Sequence, residues 1–87
     1  MVPHAMRYIV ELKPRAIKDL KSIILIDRTR LLDAIGRLEN DLEGDVKRLT
    51  DFTPEFRLRV GRYRVLFEVQ GQRVIVYRVM HRRDVYR

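Results

Sequence analysis

The feature that most restricts the fold of this 87-residue chain is the punctuation of its last third by Gly61 and Gly71. Phe56–Val60, Tyr63–Val69 and Arg73–Met80 are runs of β-branched, aromatic and basic residues separated by glycine-containing pairs, which predicts a three-stranded meander. Gly61-Arg62 suits a two-residue hairpin with glycine at the first turn position, and Gln70-Gly71 closes a second hairpin. A two-residue turn dictates which residues face each other. Val60 then lies opposite Tyr63, Leu58 opposite Val65 and Phe56 opposite Phe67, so one sheet face is apolar apart from a single phenol. The other face receives Arg59 directly opposite Arg64, with Arg57 two residues along. In the second hairpin this register pairs Glu68 with Arg73 and puts Val74 and Val76 on the apolar side. A regular third strand sends Tyr77 and His81 to the arginine side. Arg78 falls on the helix side by parity, a position that calls for a strand end or an acidic partner.

The preceding residues supply the other layer. Met6–Leu12 reads as a first strand, and Pro14 stands in the first turn of a helix, where proline is favoured. Ile17, Leu20 and Ile24 recur on one face of that helix. Asp27 is placed to N-cap a second helix, whose apolar stripe is Leu31, Ile35, Leu38 and Leu42 and whose stop signal is Gly44. Residues 45–55 read as a loop anchored by Val46 and Leu49. Residues 1–5 carry no pattern and read either as disordered or as a start-site extension, since Met6 can itself initiate translation. The expectation is one α+β domain over residues 1–87, ordered β-α-α-β-β-β, with two helices packed on one face of a mostly antiparallel sheet.

Composition excludes several chemistries. There is no cysteine, so disulfides, thiolate catalysis and cysteine-held zinc are ruled out, and two histidines, His4 and His81, make poor material for a metal site. No cofactor is expected. Ile23–Ile26, the longest aliphatic run, is far below the ~20 residues that span a bilayer, so no membrane contact and a cytoplasmic location are expected. Charge is more informative: 19 cations against 12 acids give a net +7. Residues 57–87 contribute nine arginines against Glu68 and Asp84, whereas the earlier residues balance. Such a concentrated arginine patch fits nucleic acid or an acidic protein. Like charges directly opposite in a sheet cost up to roughly 1 kcal/mol. A phosphate would relieve the Arg57/Arg59/Arg64 cluster through bidentate charge-assisted hydrogen bonds.

The stretch from Phe56 to Val69, followed by His81-Arg82-Arg83-Asp84-Val85-Tyr86-Arg87, resembles the RelE branch of the RelE/ParE toxins, the toxin halves of type II toxin–antitoxin pairs. The likeness runs from Met6 to Arg87 and includes the first strand ending near Pro14. It implies a microbial-ribonuclease-like domain that enters the ribosomal A site, against 16S rRNA, and cleaves mRNA without a metal. There the 2′-oxygen attacks the adjacent phosphate and leaves a 2′,3′-cyclic phosphate. By the same resemblance Arg57 and Arg59 occupy basic positions of the second strand, and Arg64 the phosphate-binding arginine of the third. Arg82 is similar to the basic residue of the C-terminal segment, a role Arg83 fills after a one-residue shift. Tyr86 matches a C-terminal tyrosine that stacks on a base or transfers a proton, and Arg87 lies beside it as a further phosphate contact.

One departure bears on mechanism. Relatives often carry lysines where Arg57 and Arg59 stand, and a guanidinium effectively cannot lose a proton. The proton-transfer candidates are therefore His81, Tyr86 and Glu55, with His81 favoured for its pKa near neutrality and expected to be depressed by surrounding cations. Two other functions stay open: a non-enzymatic poison of DNA gyrase, like the ParE branch, and a toxin without catalysis that survives as an antitoxin-binding module. The resemblance also implies a cognate antitoxin, expected on the basic sheet face or on Ile23–Ile26. These four consecutive aliphatics either expose some side chains or tuck inward at the inter-helix bend.

Overall fold

The computed structural model describes residues 6–85. Its elements are strand β1 (Ile9–Leu12), helices α1 (Pro14–Lys21) and α2 (Leu25–Gly36), and strands β2 (Asp45–Arg48), β3 (Phe56–Val60), β4 (Tyr63–Gln70) and β5 (Arg73–His81). Short 3-10 turns follow α2 at Arg37–Glu39 and β5 at Arg82–Asp84. The five strands form one mixed sheet ordered β1-β5-β4-β3-β2, in which only β1 against β5 is parallel. The α+β class and the helix-on-sheet layering are as expected; the sheet has one strand more.

That strand is β2, within the stretch read as a loop. Three of its four residues are charged and only Val46 reaches the core, so an edge strand of this kind leaves no alternation to detect. Its register sets Asp45 opposite Arg59 and Lys47 opposite Arg57. The first hairpin matches expectation at every pair, including Arg59 opposite Arg64 and Phe56 opposite Phe67. The rings of Phe56 and Phe67 stack at 5.4 Å, with Phe67 fully buried.

The second hairpin differs by one residue. Gln70 pairs with Arg73, so the turn is Gly71-Gln72, not Gln70-Gly71, and Glu68 faces Ile75, not Arg73. Gly71 takes the first turn position at φ 59°, as Gly61 does at φ 58°, because both hairpins need a left-handed residue there. Arg73 instead pairs with Glu11 of the neighbouring β1, and Glu68 accepts the Glu55 N–H at 2.9 Å. A β-bulge then makes Phe67 face Val76 while Leu66 faces Arg78, which leaves Tyr77 as the extra residue. Strand parity reverses beyond it. Val79 lies opposite Val65 in the core and His81 lies opposite Tyr63, on the helix side, not with the arginines as expected. Tyr77 is also displaced from them, its ring 5.9 Å from the Lys13 ammonium just after β1.

α1 lies over β5 and buries Ala16 and Leu20, while Ile17 and Ile24 of the expected stripe stay exposed. Pro14 opens the helix as expected. α2 starts at Leu25, earlier than the Asp27 cap implied, and Asp27 sits in its first turn without capping it. The helix gives way to the 3-10 turn at Arg37, and Asp41 and Leu42 take positive φ, so it ends well before Gly44. Leu31, Ile35 and Leu38 are buried and Leu42 half-buried against the same core, so the expected stripe persists through the 3-10 turn. Gly44 is needed for a close approach instead, since at φ 134° it passes Leu58 so tightly that a Cβ would lie 2.7 Å from its Cδ1. At the inter-helix bend Ile23 packs on the core, whereas Ile24, Leu25 and Ile26 are 66–69% exposed.

The parity reversal in β5 takes Arg78 off the helix side where regular alternation places it and sets it opposite Leu66, yet it has the acidic partner expected, Asp19 on α1. Its carboxylate accepts the Arg78 Nε–H at 2.8 Å and the Val79 backbone N–H at 2.9 Å. Pairing of β1 with β5 stops at Leu12 opposite Val76, so the Val79 N–H on that edge has no strand partner. The helix supplies a side chain where the sheet has run out of strand.

Candidate functional site

The tight β3–β4 turn gathers most of the basic residues singled out from sequence. The Arg64 guanidinium folds back along its own hairpin and donates from Nη1 to the carbonyls of Gly61 and Tyr63, each at 2.9 Å. This holds it at the turn end of the sheet. The backbone N–H of Arg82 donates to the Arg62 carbonyl at 2.8 Å, tying the segment after β5 to the same turn. Arg59, opposite Arg64, is exposed and has no carboxylate within ion-pairing distance among the described residues. Arg57 differs from expectation: it donates from Nη1 to the Asp45 carbonyl at 2.9 Å and to its carboxylate at 3.3 Å. Asp45 comes from the unforeseen strand, so an acid does stand beside the cluster and already engages one of its three guanidinium groups.

His81, Arg82 and Arg83 line a groove of about 770 Å³ between the β3–β4 turn and the N-terminal end of α2. The Tyr63 and His81 rings meet edge to face at 5.9 Å. The Tyr63 hydroxyl donates to Asp27 at 3.3 Å; burial first, then the Asp27 charge and this bond, push its pKa above 10.0. The His81 ring accepts the Arg83 backbone N–H at Nδ1 (3.3 Å), which caps the 3-10 turn and places the proton of the neutral ring on Nε2. Desolvation, then Arg83, with Arg62 and Arg82 adding, push its pKa below 6.5 against the opposing pull of Asp84. The depression expected from the surrounding cations is present.

His81 and Arg82 therefore join Arg64 at the turn, but His81 lies on the helix side and not on the arginine face. Glu55 stands apart, paired with Arg48 at 2.6 Å at the far end of β3. Tyr86 and Arg87 lie outside the described residues. Sequence reasoning missed Arg30, Arg62 and the Tyr63–Asp27 pair. Arg62 follows the turn glycine and was legible as a turn cation, but Arg30 belongs to α2 and nothing local announces that it faces this turn.

Comparison with known proteins bears on what such a turn serves. A sequence profile of the ParE toxin of the type II toxin–antitoxin system parDE matches residues 10–86. Toxin RelE3 of Methanocaldococcus jannaschii is 36% identical over 75 residues, spanning 80% of this chain and 85% of that protein. The RelB–RelE antitoxin–toxin complex of Methanococcus jannaschii superposes with a TM-score of 0.72 at 32% identity, covering 86% of this chain and 93% of that one. The toxin–antitoxin complex RelBE2 of Mycobacterium tuberculosis gives 0.75 at 26% identity, covering 91% and 95%. The profile spans nearly the whole chain and the relatives carry the RelE name across most of their lengths. This chain belongs to the RelE/ParE superfamily, as a RelE-family toxin of a type II toxin–antitoxin system.

Proposed function

We propose that this toxin is a ribosome-dependent mRNA interferase of the cytoplasm, which cleaves mRNA in the A site through attack of a 2′-hydroxyl, as it gives up its proton, on the adjacent phosphate; the bond to the 5′-oxygen breaks, leaving a 2′,3′-cyclic phosphate and a 5′-hydroxyl. The observation that carries this reading is that Arg64, on the arginine face, His81, on the helix side, and the Arg82 backbone are all tied to one tight turn, with Arg59 across the strand. Such a reaction builds negative charge on a pentavalent phosphorane, and fixed guanidinium groups stabilise it without reorganising. Arg64 and Arg82 take that role; Arg59, Arg83 and Arg87 hold flanking phosphates. Arg57, already bound to Asp45, adds charge more than contact. Tyr86 stacks on a base or serves the leaving oxygen.

His81 moves the proton. Its lowered pKa keeps it neutral near pH 7, the form a base requires. To accept at Nε2 the ring must shift its proton to Nδ1 and release the Arg83 N–H, and at 3.3 Å that bond is a long one. Protonation below the folded pKa removes the base, so the acidic limb of the pH–rate profile is expected below pH 6.5. A profile for His81→Asn that keeps this limb would remove His81 from the proton transfer.

Primer extension on mRNA from translating ribosomes tests the function. Codon-phased cuts are expected with the wild type, and their absence would overturn the reading. The ParE profile favours one other outcome, poisoning of DNA gyrase, in which supercoiling assays trap cleaved DNA and mRNA stays intact. The two solved relatives were crystallised with RelB antitoxins. A cognate antitoxin of this chain is expected to cover the exposed Ile24-Leu25-Ile26 bend. Hydrogen exchange there should slow on antitoxin binding; unchanged protection counts against the contact.

A further inference from the structure

Arginines outside the β3–β4 turn region are mostly committed within the protein. Arg15, Arg37, Arg48, Arg57, Arg73 and Arg78 each hold a carboxylate. Those that line the groove are not. Arg30, Arg62, Arg82 and Arg83 have no carboxylate within ion-pairing distance among the described residues, although they converge from three separate elements. Among the described residues the one acid lining the groove, Asp27, is engaged by the Tyr63 hydroxyl. Tyr63 and His81, whose rings meet edge to face, line the same groove. Four arginines and a ring pair lining one groove match the two demands of single-stranded nucleic acid, cations along the backbone and a π-surface beside the bases.

We propose that the groove between α2 and the β3–β4 turn is a channel for RNA phosphodiesters, in which Arg30 and Arg62 position the strand that Arg64 and Arg82 act upon. This rests on the reading of the chain as an RNA-acting toxin and extends its site onto a helix that the reaction itself does not require. The two arginines are positioning residues. Their backbones are not at issue: Arg62 serves the turn through its carbonyl, which any residue supplies, and Arg30 is exposed on its helix.

The test is the salt dependence of binding, measured by fluorescence anisotropy with a single-stranded ribo-oligonucleotide and by sedimentation with vacant ribosomes. Removing one phosphate-binding cation lowers the slope of log K against log salt by roughly 0.7 for a single strand. An Arg30→Ala/Arg62→Ala pair should therefore flatten the oligonucleotide slope by about 1.4, and an Arg30→Lys/Arg62→Lys pair should restore most of it. Flattening with the oligonucleotide assigns the groove to the mRNA strand; flattening confined to vacant ribosomes assigns it to ribosomal RNA. An unchanged slope with both probes, or weaker binding at unchanged slope that lysine does not rescue, overturns the proposal. Cleavage lost in Arg64→Ala with slopes unaltered in the Arg30/Arg62 pair leaves the interferase reading standing without the channel. Absent cleavage by the wild type with a flattened slope does the reverse.

Discussion

Arg64→Ala is expected to lower codon-phased mRNA cleavage by about 100- to 1,000-fold, the usual consequence of removing one preorganised group from a developing anion. The size follows from how the side chain is held. Two backbone carbonyls, those of Gly61 and Tyr63, accept from its Nη1 and fix the guanidinium at the turn before any substrate arrives. Across the strand stands Arg59, and beyond the turn Arg82 is tied to Arg62, so a phosphorane there meets cations from three strand ends. Arg64→Lys keeps the charge but not the planar geometry, and an intermediate loss is expected. The two hairpin bonds contribute only about 1 kcal/mol each to stability, so the alanine variant should remain folded by circular dichroism. Cleavage undiminished in a folded Arg64→Ala protein would exclude this residue from the site.

Asp19→Ala is expected to destabilise the fold by about 3 kcal/mol, measured by urea unfolding at neutral pH, because it strands a half-buried guanidinium and an edge N–H together. The carboxylate is largely shielded and serves Arg78 and Val79 at once. Burial by itself raises its pKa, but the hydrogen bonds from Arg78 and from the Val79 N–H, with the Arg78 charge, bring it below 3.8. A carboxyl depressed on folding stabilises above its unfolded pKa, and that contribution is lost as pH falls through the folded value. The wild type should therefore lose stability below pH 3.8 in a way that Asp19→Asn does not. Equal acid sensitivity in the two proteins would count against the pair. The consequence reaches function, since Asp19 anchors β5 next to the bulge that delivers His81 and Arg82.

What could be read from the chain and what could not divide along a physical line. Local chemistry determined the first hairpin: glycine at a left-handed turn position sets a two-residue loop, and parity then places Arg59 opposite Arg64 and stacks Phe56 on Phe67. It also determined the apolar stripe from Leu31 to Leu38 and the helix start at Pro14, and the spacing of basic residues carried the resemblance to RelE toxins. Only the tertiary structure decided where β5 slips. One extra residue in a run as uniformly β-prone as Val74–Met80 leaves no local mark, yet it moved His81 from the arginine face to the helix side. Likewise β2 exists because β3 offers it an edge, and Arg30 belongs to the site because α2 crosses above the β3–β4 turn. Backbone conformation at a turn is settled by neighbours in the chain, whereas the groups that share a groove are settled by the packing of distant segments, to which short-range patterns are blind.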